Sequence, residues 1–529
     1  MLCCDATTRS MAGGEEREHR TSNPEPGTGT VNTNPELGTG NQEPSAPPHY
    51  SPYSPDRRTA VVFCGTGAHG AYHAGVLRAL QEAGVKIDVV AGQGIGTGTA
   101  ALAAIDGGAR LWDLTGIWRS GPAKRFYRWK PLVAAVGWIA TALVVVLLVP
   151  LLVLLLAMAA LALGFLLTLV GITSAGAALT TLAATALQSA FAGEHLPTTV
   201  PRLAMAVVAL LVVVACAGVL IAQWRAPVRR RAEGAWWWRL IGAPLDGEQI
   251  RAAFATNIWQ LIRGASTELH PTSATVGRRY AEVLAENLGQ PGFRELIVVA
   301  TDLDVRRDVV AALLREPHRR EFFAPRRDRD RRAEVLDLAG LGRDHAIDIV
   351  AGAVTPPLVC DPAYVTFASD SFWRGETHRL CDRPASVHRL LEEVAVAGVT
   401  QVILASAVAP YASPHALRPP RLDIRNRLGE FLSAAESTAM RDAIESAQMR
   451  FDCVFSICPA HNPIGPFDFG GSYDEMSDRR QDLAEMMERA YEDAYRQFIE
   501  PVVGASGEQF AEVGALPQNA HTDADDIAP

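Results

Sequence analysis

Residues 59–98 read TAVVFCGTGAHGAYHAGVLRALQEAGVKIDVVAGQGIGTG. Thr59 to Cys64 is a short β-branched and apolar run, which predicts a strand. Gly65 to Gly70 follows as a glycine-rich turn, and Val76, Leu77, Leu80 and Ala83 then recur at helical spacing until Gly84. Ile87 to Ala91 predicts a second strand, Gly92 to Gly98 a second glycine turn, and the alanines after it another helix. Two strand, glycine-turn, helix units in succession predict an α/β fold with a parallel-rich sheet and flanking helices.

On either side of this stretch the composition changes. Residues 1–57 are mostly Pro, Gly, Thr, Asn, Glu and Ser, too poor in branched apolar side chains to offset the entropy of ordering, so a disordered tail is expected. No apolar h-region follows the first Met, so neither a signal peptide nor a lipid anchor at Cys3 and Cys4 is expected. From Pro131 to Gly193 no residue is charged, and Leu203 to Trp224 is a second uncharged run. Each exceeds the roughly 20 apolar residues that cross a bilayer. Lys124, Arg125, Arg128 and Lys130 precede the insert. Arg225, Arg229, Arg230 and Arg231 follow it, with Trp236, Trp237 and Trp238 as an interfacial belt, so both flanks are expected in the cytoplasm.

The expected organisation is therefore a tail at 1–57, a first α/β part at 58–122, a transmembrane insert with basic flanks at 123–232, a second α/β part at 233–503, and a disordered tail at 504–529. Gln249 to Asn287 reads as helices. Glu295 to Ala300, Thr400 to Ala405 and Cys453 to Ile457 read as buried strands, and Glu475 to Glu500 as an amphipathic helix. Strands before and after the insert should share one sheet. Both halves then lie on one side of a membrane, and the insert crosses it two or four times.

The 58 acidic residues outweigh 49 basic ones, of which only Lys86, Lys124 and Lys130 are lysines, for a net charge of −9. An arginine-and-alanine-rich composition of this kind fits GC-rich bacterial coding, and it argues against a nucleic-acid partner. The eight cysteines form no CxxC pair, and His345, His378, His388 and His461 have no metal-binding spacing, so no disulfide framework and no metal are expected. Cys64, beside the first glycine turn, reads as a buried small residue rather than a nucleophile. Residues 462–471, rich in turn formers, are expected to pack the last strand against the C-terminal helix.

Gly65-x-Gly67-x-x-Gly70 between strand and helix suits an anion, because glycines let the backbone approach and the helix N-terminus offers N–H groups. A dinucleotide site would also want an acid closing the second strand; there Val90-Ala91 runs into Gly92, and Asp88 precedes the strand residues. The stretch from Gly65 through Leu80, followed by Ile87 to Gly92, resembles the start of the patatin-like phospholipase family over about 45 residues, and more weakly Thr301-Asp302-Leu303, Thr355-Pro356, Asp370 and Arg389 to Ala405.

The resemblance implies a patatin-like domain over 58–122 and 233–503 that needs no cofactor. In this family a serine on a tight turn attacks a lipid ester, an aspartate takes its proton, and amides of the first glycine loop hold the oxyanion. On that pattern Gly65, Thr66, Gly67, Ala68, His69 and Gly70 form the oxyanion hole, with His69 where the family has a basic residue. Gly92 and Gly96 frame the elbow, Gly94 stands in place of the nucleophilic serine, and Asp370 is the matching aspartate, with Asp361 a second candidate. The expectation is a multi-pass protein of the cell membrane, its patatin-like domain in the cytoplasm. It would be a pseudoenzyme that binds membrane lipids or acts as a scaffold, its protein partner unidentified. Two other readings stay open: an active acyl hydrolase using Thr97 or a water over Gly94, and a membrane-anchored nucleotide-binding protein using the Gly65 to Gly70 loop.

Overall fold

The computed structural model describes residues 53–192, 199–225, 242–266, 271–324, 331–369, 373–409, 423–460, 465–473 and 480–504. The strands are β1 (Thr59–Gly65), β2 (Val89–Gly94), β3 (Arg128–Trp129), β4 (Leu245–Asp246), β5 (Glu295–Asp302), β6 (Arg307–Leu313), β7 (Ala333–Asp337), β8 (Ala363–Thr366), β9 (Thr377–Cys381), β10 (Gln401–Ser406), β11 (Cys453–Ile457), β12 (Ser472–Tyr473) and β13 (Arg480–Gln481). Nine of them make one sheet in the order β11-β10-β1-β2-β5-β6-β7, with β9 paired to β5 and β8 to β9. The pairs from β11 to β5 and the β6–β7 pair are parallel; β5–β6, β5–β9 and β8–β9 are antiparallel. The fold is mixed α/β, with a mostly parallel central sheet and flanking helices.

Strands from both sides of the uncharged insert thus lie in one sheet: β1 and β2 precede it, and β5, β10 and β11 follow it. Alternation along β1 explains why the strand is buried throughout. Val61 and Phe63 join one core with Tyr72 and Leu77 of α1 (His69–Glu82). Ala60, Val62 and Cys64 join the other core with residues of two helices introduced below. Connections from β1 run one way to β2 and from β10 the other way to β11. The crevice between β1 and β10 at their C-terminal ends is therefore a topological switch point, the usual ligand position in such sheets.

The second strand differs from its expected bounds. Residues 92–94 continue β2 instead of opening the turn, and the chain turns only at Ile95, before α2 (Gly96–Ala104). Parallel pairing explains this, because Gly92, Gln93 and Gly94 sit in register with Phe63, Cys64 and Gly65.

Within the insert, α3 (Pro131–Leu169) is one continuous helix through Pro150, about 58 Å long at 1.5 Å per residue. It turns at Val170–Ile172 into α4 (Thr173–Ala190), with α5 (Thr199–Arg225) beyond. The α3–α4 contact is close: a β-carbon at Gly176 would lie 2.3 Å from Thr168 Oγ1. Gly218 of α5 faces Leu132 at the start of α3. Among the described residues one helix, α3, is long and apolar enough to cross a membrane; the apolar part of α5, Arg202–Gly218, is shorter. The insert leaves and rejoins the domain at one point, where β3 and β4 form an antiparallel ladder, Lys130 N–H donates to Pro244 O (3.0 Å), and the Lys130 ammonium pairs with Asp361.

The second half adds α6 (Ser386–Val396), α7 (Ile424–Gln448) and α8 (Leu483–Ala494). Val387 and Leu390 of α6, with Met440 and Ala443 of α7, cover the face of β1 that carries Ala60 and Val62. Helices at Glu248–Ile262 and Ser273–Asn287 fall within the expected helical region. The tails, apart from residues 53–57 and Gly504, and the Trp236–Trp238 belt lie outside the described residues.

Candidate functional site at the paired glycine turns

Gly65 and Gly94 are register partners at the C-terminal ends of β1 and β2, so the two glycine turns lie side by side. Gly94 has φ +59, the left-handed region that glycine enters without the penalty a β-carbon brings. A β-carbon there would lie 2.9 Å from Asp382 Oδ2, but only 2.3 Å from the Gly65 carbonyl oxygen. That same carbonyl accepts the Ile95 N–H at 2.8 Å, so the amide after the elbow position is already engaged.

The first turn is closed in the same way. Gly67 has φ +61, and a β-carbon on it would lie 2.1 Å from the Pro466 carbonyl oxygen, which accepts the Ala68 N–H at 2.8 Å. Pro466 belongs to a turn tied by Asp468, whose amide donates to Gly465 O and whose carboxylate accepts from the Gly465 amide, each at 3.1 Å. The described part of 462–471 therefore covers the glycine loop, while its Phe467 and Phe469 lie in one buried cluster with Phe455 and Ile457 of β11 and with Leu483 and Met486; residues 462–464 lie outside the described set. Its aromatics reach the root of the insert: Tyr127 packs against Phe467 and Phe469, both with ring centroids 5.8 Å apart, and Phe126 meets Phe469 edge-on at 6.0 Å.

Beneath the turns is a buried polar cluster. The Gln93 amide donates to Asp382 Oδ1 at 2.5 Å. Thr66 Oγ1 lies 3.1 Å from Asp382 Oδ2 and also within hydrogen-bond reach of Glu436 Oε1, from α7. One hydroxyl carries one proton, so it cannot donate to both carboxylates at once; both contacts form only when one of the two carboxyls is protonated and itself donates to Thr66. The electrostatics agree, because burial first and the neighbouring Glu436 second push the Asp382 carboxyl up to about 7, against the opposing hydrogen bonds from Gln93 and Thr66. His69, wholly buried, accepts the Thr66 amide at Nδ1 (3.2 Å), and that nitrogen stands equally far from Glu436 Oε2.

The other expected residues sort as follows. Asp370 lies outside the described residues; the carboxylate beside Gly94 is that of Asp382, which the sequence reading passed over. Its signal was position, since Asp382 is the last acid before α6, whereas Asp370 precedes β9. Asp361 is engaged at the root of the insert with Lys130 and the Ala243 amide. Gly70 lets α1 pack against Trp118 and Ile95, and Gly92 and Gly96, against neighbouring backbone, serve close packing of α2 on β2 and β1. Thr97 and Thr99 are buried in α2, and neither hydroxyl has a hydrogen-bond partner among the described residues, so neither has a base beside it. Burial, then Glu436 and Asp382, raise the Cys64 thiol far above its ordinary range, which keeps it protonated. His73, its Nε2 3.0 Å from Cys64 O, is pushed down to about 3 by burial and is neutral. Among the described residues no group of three or more His, Cys, Asp or Glu side chains could hold a metal ion.

No known family profile matches the chain, and no curated protein matches it. Among solved structures it is similar to VipD from Legionella pneumophila at 10% identity and a TM-score of 0.26, over 83% of this chain and 66% of that one. The chain thus spans just under two thirds of that structure's length, and a likeness this slight bears on neither fold nor function.

Proposed function

We propose that the chain is a membrane-anchored protein of the patatin-like phospholipase type that has lost lipid acyl-ester hydrolysis and keeps the site as a lipid-binding or scaffolding element. The observation that carries the reading is the pairing of Gly94 with Asp382. The backbone at 94 has the left-handed turn a nucleophile elbow needs, a carboxylate stands where it would meet a serine side chain, and residue 94 itself carries no hydroxyl, the nearby Thr66 hydroxyl being held between Asp382 and Glu436. The Ile95 and Ala68 amides, which would hold an oxyanion, donate to carbonyls of the chain itself. Asp382 then has a structural task, to lock the Thr66 loop to Gln93 and Glu436.

The anchor rests on α3, which is uncharged along its length and carries exposed leucines such as Leu155 and Leu163. The β3–β4 ladder joins entry and exit, which favours an even number of crossings, and Lys124, Arg125 and Arg128 favour a cytoplasmic domain. A fluorophosphonate probe, which phosphonylates activated serines with loss of fluoride, tests the reading on full-length protein in lipid nanodiscs. No covalent labelling is expected; stoichiometric labelling that requires Asp382 would refute it.

A further inference from the structure

Leu358 is 79% exposed and has φ +66, an unusual conformation for a side chain of its bulk. Its turn is bound to the root of the insert on several sides. Leu245 N–H donates to Val359 O at 2.9 Å, Cys360 bridges Leu245, and Asp361 holds both Lys130 and the Ala243 amide. The leucine is therefore held outward, within three residues of the point where α3 leaves the domain. Ile424, 64% exposed, opens α7 next to Arg425, whose guanidinium reaches Phe467 O and so lies one aromatic layer from Tyr127.

Charge completes the face. Lys124, Arg125 and Arg128 are exposed on the segment leading into α3, and among the described residues none is in a salt bridge, Arg128 standing opposite Asp246 in the β3–β4 ladder. An apolar tip and exposed cations, each at the root from which the apolar helix α3 leaves the domain, fit the headgroup layer of a bilayer carrying anionic lipid.

Resting on the anchor reading above, we propose that the face formed by Leu358, Lys124, Arg125 and Arg128 docks on the anionic headgroup surface of the membrane that α3 enters, with Leu358 dipping below the headgroups. Docking there turns the switch-point end of the sheet, with its glycine turns, toward the lipid. The turn carrying Pro466 already links that end to the root through Tyr127.

The test is environment-sensitive fluorescence of the full-length chain, with an NBD label on Leu358→Cys, Leu155→Cys or Met449→Cys in a background where Cys3, Cys4, Cys216 and Cys458 are serine. Met449 is the control, being 84% exposed at the far end of α7. In nanodiscs of phosphatidylcholine with phosphatidylglycerol, the labels at 155 and 358 should both brighten several-fold and shift to the blue, while that at 449 stays aqueous. In pure phosphatidylcholine only 155 should do so. Lys124→Glu, Arg125→Glu and Arg128→Glu together should return 358 to the aqueous signal and leave 155 embedded; inorganic phosphate added to detergent-solubilised protein should change nothing. A label at 358 that stays aqueous while 155 is embedded overturns docking and leaves the anchor standing. An aqueous label at 155 overturns the anchor and the docking with it. A blue shift at 358 as large in pure phosphatidylcholine as with phosphatidylglycerol shows that the contact does not depend on anionic lipid and overturns the proposal.

Discussion

Gly94 and Asp382 face each other so closely that a β-carbon on the glycine would lie 2.9 Å from the carboxylate oxygen, yet the Gly65 carbonyl occupies the same space at 2.3 Å. The site has the outline of a nucleophile turn and no room for the nucleophile.

Gly94→Ser should therefore destabilise the protein without creating activity. The substitution places a side chain in a left-handed conformation and against a backbone oxygen that is itself hydrogen-bonded to Ile95. Strain and overpacking of this kind cost about 2–4 kcal/mol together. Chemical denaturation of wild type, Gly94→Ser and Gly94→Ala should show both variants weakened to a similar degree. A serine variant as stable as wild type would mean that the Gly65 carbonyl gives way easily.

Asp382 should make stability fall as pH rises toward neutrality. Burial and Glu436 raise its carboxyl to about 7, whereas the unfolded chain releases that proton near the ordinary value of 3.8. Between those values the folded state holds the extra proton, so this contribution is complete below about pH 4 and is lost as pH passes through about 7. The melting temperature of wild type relative to Asp382→Asn should drop between pH 5 and 8, because the amide cannot ionise. A constant difference across that range would show that Asp382 is ionised throughout.

The turn over the glycine loop should loosen when its aromatic support is removed. Tyr127 is wholly buried against Phe467 and Phe469, and its hydroxyl donates to Val354 O. Tyr127→Ala should cost about 3–5 kcal/mol in stability, as large aromatic truncations do. Phe469→Ala, at the same contact but on the turn itself, should speed hydrogen exchange at the Ala68 amide, which donates to Pro466, and leave Val62 and Val402 in the central strands protected. Unchanged exchange at Ala68 would show that the turn is held by something other than these rings.

Much of this architecture was legible because it is local. A six-residue apolar run, a glycine turn and a helical repeat follow one another within residues 59–84, and parallel pairing of β1 with β2 and β10 follows from such units. The strands β6 to β9 were not legible: β9 reads Thr-His-Arg-Leu-Cys, polar by composition, and becomes a strand only by pairing with β5 and β8. The chemistry of the site was hidden for a similar reason. Gln93 and Asp382 are 289 positions apart, and Thr66 and Glu436 are 370 apart, so no spacing in the sequence joins them. Pro466 acts through its backbone carbonyl, which no side-chain pattern announces.

Topology gives a separate expectation. The β3–β4 ladder puts the two ends of the insert side by side, with Trp129 opposite Leu245 and the Lys130 N–H donating to Pro244 O. Cysteine labelling with a membrane-impermeant reagent at Ser120 and at Gly242 should find both positions on the cytoplasmic side. Labelling of the two from opposite sides would contradict the single sheet.

Turnover of a fluorogenic short-chain ester, and release of fatty acid from phospholipid vesicles, by purified full-length protein compared with Asp382→Asn bears most directly on loss of hydrolysis. The two proteins should give the same rate, indistinguishable from the uncatalysed background, at every pH from 5 to 9. Turnover by the wild type that Asp382→Asn abolishes would contradict the account and make the site at Gly94 a working hydrolase.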